Sequence, residues 1–183
     1  FKYSFSIKKK SYIIIMNKLL YVPNPLLRQQ CKKIDFVSDD HISIAKTMRK
    51  IMLKAPGVGL AANQIGILKQ IVTISFIDQV TKNVIQYNLY NPNIISFSEE
   101  TTLMEEGCLS LPEQFAEVER PEKILIEYLD DESKLVKKEA VGVEARILQH
   151  EIDHLSGKLF VDYLSSLKKN IMIRKVKKYL KKI

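Results

Sequence analysis

Two of the chain's three histidines stand four residues apart, in Gln149-His150-Glu151-Ile152-Asp153-His154. On a helix, positions i and i+4 share one face, so both imidazoles reach a single metal ion. Glu151 is one residue on, rotated about 100° around the axis, and leans over an open coordination position without becoming a ligand. Two nitrogens to hold a metal and a carboxylate to move a proton are the parts of a metal-assisted hydrolase. A third ligand is missing from this stretch. Six residues after His154 stands Phe160, no glutamate follows Glu151, and Asp162 is the only later acid beyond Asp153. The third ligand therefore comes from upstream unless Asp162 folds back, and His41, Cys31, Cys108 and several carboxylates are open candidates.

His41 falls in the first turn of an expected surface helix and reads as an N-terminal polar residue. Cys31 lies in a polar stretch and reads as a free, half-buried thiol. Cys108 lies in Glu105-Glu106-Gly107-Cys108-Leu109-Ser110-Leu111-Pro112. Glycine lets a backbone approach a site closely, Pro112 fixes the exit, and a divalent cation stabilises a thiolate. A second small-residue stretch, Gly57-Val-Gly-Leu-Ala-Ala-Asn-Gln-Ile-Gly66, carries Gln64, whose amide is suited to donating to a developing oxyanion. It offers no GK[ST], so it is not a phosphate loop.

The elements that must position these residues are readable in outline. Val22-Pro-Asn-Pro25 is a rigid extended segment. A helix is expected over Ser38–Lys54, with Ser38 as N-cap, Asp39 and Asp40 at the positive end, and Ile44, Met48, Ile51 and Met52 as the core stripe. Strands are expected over 70–77, 84–89 and 123–130, with a turn at 130–133 leading into 134–140. A second helix over 143–155 carries the histidines, and a lysine-rich helix begins near Ser165. Helices and strands are segregated, which predicts an α+β fold: a mostly antiparallel sheet packed around a central HExxH metal-binding helix, with an N-terminal and a C-terminal helix.

Composition narrows the class. The 183 residues are 46% hydrophobic and 27% charged, the balance of a globular chain. No apolar run approaches the ~18 residues of a membrane-spanning helix, so no membrane partner is expected. Two cysteines make no disulfide framework and favour a reducing, intracellular setting. The net charge of +8 comes from 29 basic against 21 acidic residues and is unevenly placed. Residues 1–20 and 168–183 hold 13 of the bases and no acid, which leaves the body at −5. Sequence-specific nucleic-acid binding is therefore not expected. Three segments follow: 1–15, a leader or appended segment with a faint transit-peptide character that leaves organellar import as an alternative to a cytoplasmic setting; 16–167, a catalytic domain; and 168–183, a basic C-terminal helix.

Three motifs in order, Gly57-Val-Gly59-Leu60-Ala61-Ala62-Asn63-Gln64, Glu106-Gly107-Cys108-Leu109-Ser110 and Gln149-His150-Glu151-Ile152-Asp153-His154, resemble those of the peptide deformylases, and the resemblance runs from about Met16 to about Ile183. It implies that Cys108, His150 and His154 bind the metal with water as fourth ligand, Fe2+ in the cell, although the ligand set also accepts Zn2+, Ni2+ or Co2+. It implies that this water attacks the formyl group of formyl-methionyl nascent peptides with Glu151 as general base and acid, while Gln64 and the Leu109 N–H steady the oxyanion, giving formate and a free amino terminus. Val58, Gly59, Gly107, Val143, Arg146 and Ile147 are the expected substrate-binding residues. Arg146 fits least easily among them and is expected to pack by its aliphatic stem. Glu106 and Arg120 are expected to pair behind the Cys108 segment. The basic C-terminal helix is expected to dock on the polyanionic ribosome. Two rivals stand beside this reading, a small metallopeptidase and an inactive basic ribosome- or RNA-binding module.

Overall fold

The computed structural model describes residues 18–182; the expected leader, 1–15, lies outside them. Among the described residues are three α-helices: α1, Asp39–Lys54; α2, Gly142–Leu155; and α3, Ser166–Leu180. Seven strands accompany them: β1, Gly59–Ala61; β2, Ile71–Ile77; β3, Val84–Phe97; β4, Thr101–Cys108; β5, Leu111–Pro121; β6, Lys123–Leu129; and β7, Leu135–Val141. Five form one antiparallel sheet in the order β1-β2-β3-β6-β7, and β4 and β5 form a separate antiparallel hairpin. The fold is α+β, as the segregated pattern predicts.

Strand β2 shows how the sheet is covered. Its residues are buried on both faces, which is why the sequence there runs apolar instead of alternating. Val72, Ile74 and Phe76 join Ile124, Ile126, Ala145 and Leu148 in the core between sheet and α2, while Ile71 joins Ala45, Met48 and Met52 under α1. Helix α1 is started by Ser38, whose N–H meets His41 Nδ1 at 3.2 Å and whose hydroxyl lies 3.0 Å from the same nitrogen. A third core holds the hairpin to the chain's end: Leu111 and Val118 pack with Phe160 and Val176, and Met172, Ile173 and Leu180 of α3 close over them. Helix α2 thus lies between the five-stranded sheet and the hairpin.

Two differences from the sequence pattern matter for the site. Strand β3 extends to Phe97, past Pro92, with register shifts on either side of Asn93 where the ladder to β6 is irregular. The stretch from Thr101 to Pro121, where the sequence pattern marks no element, is the β4–β5 hairpin, with a register shift between Gly107 and Cys108. The 57–66 stretch also gains regular structure, as strand β1 and a 3-10 turn over Ala62–Ile65.

Candidate active site

Helix α2 turns His150 and His154 toward the end of β4, where the bulge presents Cys108. The ligand atoms of Cys108, His150 and His154 all lie within 4.8 Å of one another. Cys108 Sγ is 3.2 Å from His154 Nε2. His150 Nδ1 donates to Glu106 Oε2 at 2.8 Å, which leaves its Nε2 free for a metal. The other upstream candidates lie elsewhere. His41 caps α1 and meets Lys69 Nζ through Nε2 at 2.6 Å. Asp162 is engaged by Arg28 and Lys169. Cys31 is 3% exposed, a core residue and not the half-buried thiol expected, and burial pushes its thiol up to about 11.

Glu106 holds the back of this cluster. Its Oε1 accepts from Arg120 Nε at 2.6 Å and Arg146 Nη1 at 2.9 Å, and its Oε2 accepts from Arg120 Nη2 at 3.1 Å as well as from His150. Burial pushes this carboxyl up, but the hydrogen bonds from His150 and Arg120 outweigh it and hold the group at about 2. Arg120 continues to Asp153 Oδ2 at 2.7 Å and Tyr163 Oη at 3.0 Å, with its guanidinium over the Tyr163 ring. Arg146 donates further to the carbonyls of Val118 at 2.8 Å and Thr102 at 2.7 Å. Its guanidinium is thus engaged with the hairpin.

Glu151 is buried, and its Oε2 has no partner among the described residues. Burial, outweighing the nearby His150, raises its carboxyl to about 7. Gly59 makes room for it: a Cβ there would stand 2.7 Å from Glu151 Cγ. Gln64, 1% exposed, is oriented by the Ala61 N–H donating to its Oε1 at 2.8 Å, and its Nε2 donates to Ser110 Oγ at 3.1 Å and toward Cys108 Sγ at 3.6 Å. Leu109 follows Cys108 in the turn between β4 and β5, its side chain against Gly57. Val58 and Val143 are about half exposed, whereas Ile147 is buried. Asp153, Tyr163, Ser110 and Asn63 also touch this machinery. Asp153, Ser110 and Asn63 stand inside the three motifs, yet the sequence gives none of the four a role, because each acts through a partner remote in the chain.

Two imidazoles and a cysteine sulfur around one point, beside a carboxyl group with an open oxygen, suit a borderline-soft divalent cation. On an α+β scaffold, such a donor set is what a mononuclear metallohydrolase centre would use. Over residues 16–170 the chain matches the family model described as polypeptide deformylase. It belongs to that family, whose members are metal-dependent hydrolases that remove the N-formyl group from nascent polypeptides. A peptide deformylase of Bartonella henselae is 43% identical over 169 residues, 91% of this chain and 94% of its own. The crystal structure of peptide deformylase from Ehrlichia chaffeensis superposes with a TM-score of 0.86 at 34% identity, covering 90% of this chain and 97% of its own. A Met-Ala-Ser-bound peptide deformylase from Acinetobacter baumannii gives 0.74 at 32% identity, covering 80% and 97%.

Proposed function

We propose that Cys108, His150 and His154 hold one divalent ion, Fe2+ in the cell, and that Glu151 is the proton carrier of the reaction. When bound, the metal acidifies water and polarises the formyl carbonyl. The observation that carries the reading is the open Oε2 of buried Glu151 beside the three converging ligand atoms. With its carboxyl near 7, Glu151 is matched to taking a proton from the attacking water and returning it to the leaving amine as the C–N bond breaks. Gln64 Nε2 and the Leu109 N–H receive the negative charge that develops on the formyl oxygen; one such donor is worth about 2.7–4 kcal/mol of barrier.

The substrate binds beside Val58, Gly59, Gly107, Val143 and Ile147, with the aliphatic stem of Arg146 at the edge of the methionine slot. β1 is an edge strand, which supports a peptide lying alongside it as an added strand. The peptide bound to the Acinetobacter baumannii relative, Met-Ala-Ser, supports a substrate that begins with methionine. Glu106 and Arg120 set the orientation of His150. Among the described residues no helix is long and apolar enough to cross a membrane, and the cytoplasm, where nascent chains emerge, is the proposed location.

Lys177 and Lys178 of α3 and Lys181 just beyond its end are exposed, and we assign them to ribosome docking. Because Val176 of the same helix is buried, charge reversal of these lysines is a cleaner test than truncation. It should weaken ribosome binding and flatten its log–log salt dependence while leaving dipeptide turnover unchanged.

The central test is formate release. Anaerobically loaded protein should deformylate formyl-Met-Ala, spare acetyl-Met-Ala and leave internal peptide bonds intact, and Glu151→Gln should abolish turnover while keeping the metal. Internal cleavage without formate would refute the reading, as would an active Glu151→Gln.

A further inference from the structure

Asn63 stands next to Gln64 and is fully buried. Its Nδ2 donates to the backbone carbonyl of His154 at 2.5 Å. A carbonyl only accepts, so this contact decides which end of the amide faces the helix and leaves Oδ1 as the other end. That Oδ1 is buried with no partner among the described residues, and so is Nδ1 of the same His154.

His154 presents Nε2 toward Cys108 Sγ, so as a ligand it carries its proton on Nδ1. A buried N–H of this kind needs an acceptor. Three other buried acceptors lack a partner among the described residues: Gln70 Oε1, Glu122 Oε2 and Glu151 Oε2. Gln70 is turned to the Cys31 carbonyl, Glu122 lies by Gly142, and Glu151 lies against Gly59. Asn63 alone of the four is already bonded to His154.

We infer that Asn63 is a positioning residue for His154: its Oδ1 and the Nδ1–H, each without a direct protein partner among the described residues, are bridged by one ordered water, which holds the ring with Nε2 toward Cys108. The inference rests on the reading of His154 as a metal ligand. It makes the two imidazoles unequal, since His150 is backed by the carboxylate of Glu106 and His154 by a neutral amide. It also ties the loop that carries Gln64 to the helix that carries both histidines.

The test uses Co2+ as probe, with affinity measured by chelator competition and the cobalt–thiolate absorption band as signature. Asn63→Ala should weaken Co2+ binding about 10–100-fold. Asn63→Asp keeps an acceptor and should recover much of that loss. Both variants lose the bond to the His154 carbonyl, so the metal-free protein should melt lower in each, which separates the structural contribution from the positioning one. Asn63→Ala binding Co2+ as tightly as the parent overturns the proposal, as does Asn63→Asp binding no better than Asn63→Ala. Should Asn63→Ala fail to fold, the parent loaded with Zn2+ decides. Its nitrogen–proton correlation spectrum should show a slowly exchanging His154 Nδ1–H, and a rapidly exchanging one overturns the proposal. A parent that binds no Co2+ at all, or whose band survives Cys108→Ser, refutes the metal site itself instead.

Discussion

Gly59→Ala is the smallest change that should disable the chemistry. Gly59 is not among the residues with positive φ, so alanine meets no backbone penalty and any effect comes from its methyl group. That methyl would stand 2.7 Å from Glu151 Cγ and 2.8 Å from Cδ, where ordinary contact begins at 3.4 Å. The carboxylate must therefore withdraw by about 1 Å, a misplacement that costs on the order of 100-fold in a positioned catalytic group, or about 2.7 kcal/mol of barrier. Formate release from formyl-Met-Ala should show this in kcat, with KM and bound metal little changed. Gly57→Ala is the control: its methyl meets the side chains of Leu109, at 2.6 Å from Cδ1, and of Met52, at 3.2 Å from Cγ, and not Glu151, so the loss in kcat should be far smaller. In a Glu151→Asp background, where the shorter side chain leaves room for the methyl, Gly59→Ala should cost far less, because both changes act on one group. A Gly59→Ala enzyme with parental kcat would refute the reasoning, and so would equal losses in both backgrounds.

Arg120→Ala should lower metal affinity about 10–100-fold by releasing Glu106 from behind His150, and unchanged metal content and kcat/KM would exclude that role. Asp162 is held at about 2 because Arg28, Lys169 and the Leu159 N–H outweigh its burial. A carboxyl lowered in the folded state stabilises above its unfolded value, near 3.8, and loses that effect as pH falls toward 2. The melting-point gap between parent and Asp162→Asn should therefore be constant above about pH 4 and close below it; a gap that persists at pH 2 would contradict the assignment. Thiol titration of the metal-free protein near pH 8 should label Cys108 and leave Cys31 unreacted until unfolding, since burial holds Cys31 up at about 11. Rapid labelling of Cys31 would count against its placement in the core.

The helices and the β6–β7 hairpin were legible because caps and periodicity agree with where their faces lie: Ser38 starts α1 and Ile44, Met48 and Met52 are buried as their spacing predicts. The β4–β5 hairpin was hidden for a physical reason. Its inward positions include Glu106 and Arg120, both buried as an ion pair, so a pattern search that equates charge with solvent finds no strand there. Arg146 misleads in the same way, being nearly buried yet charged. The proposed ligand residues are local signals, two on one helix and one in a short segment that follows a glycine. Asn63, Asp153 and Tyr163 become visible only once the fold brings together residues remote in sequence.

The three proposed ligands come from two pieces of the fold, Cys108 from the hairpin and His150 and His154 from the helix seated on the large sheet. A metal held by all three is thus a removable staple across the molecule, closing the loop between Cys108 and His150 much as a covalent bridge would. Heat resistance then depends on how much free metal surrounds the chain. An oxidant that attacks the Cys108 sulfur would cut the staple as well as silence the enzyme.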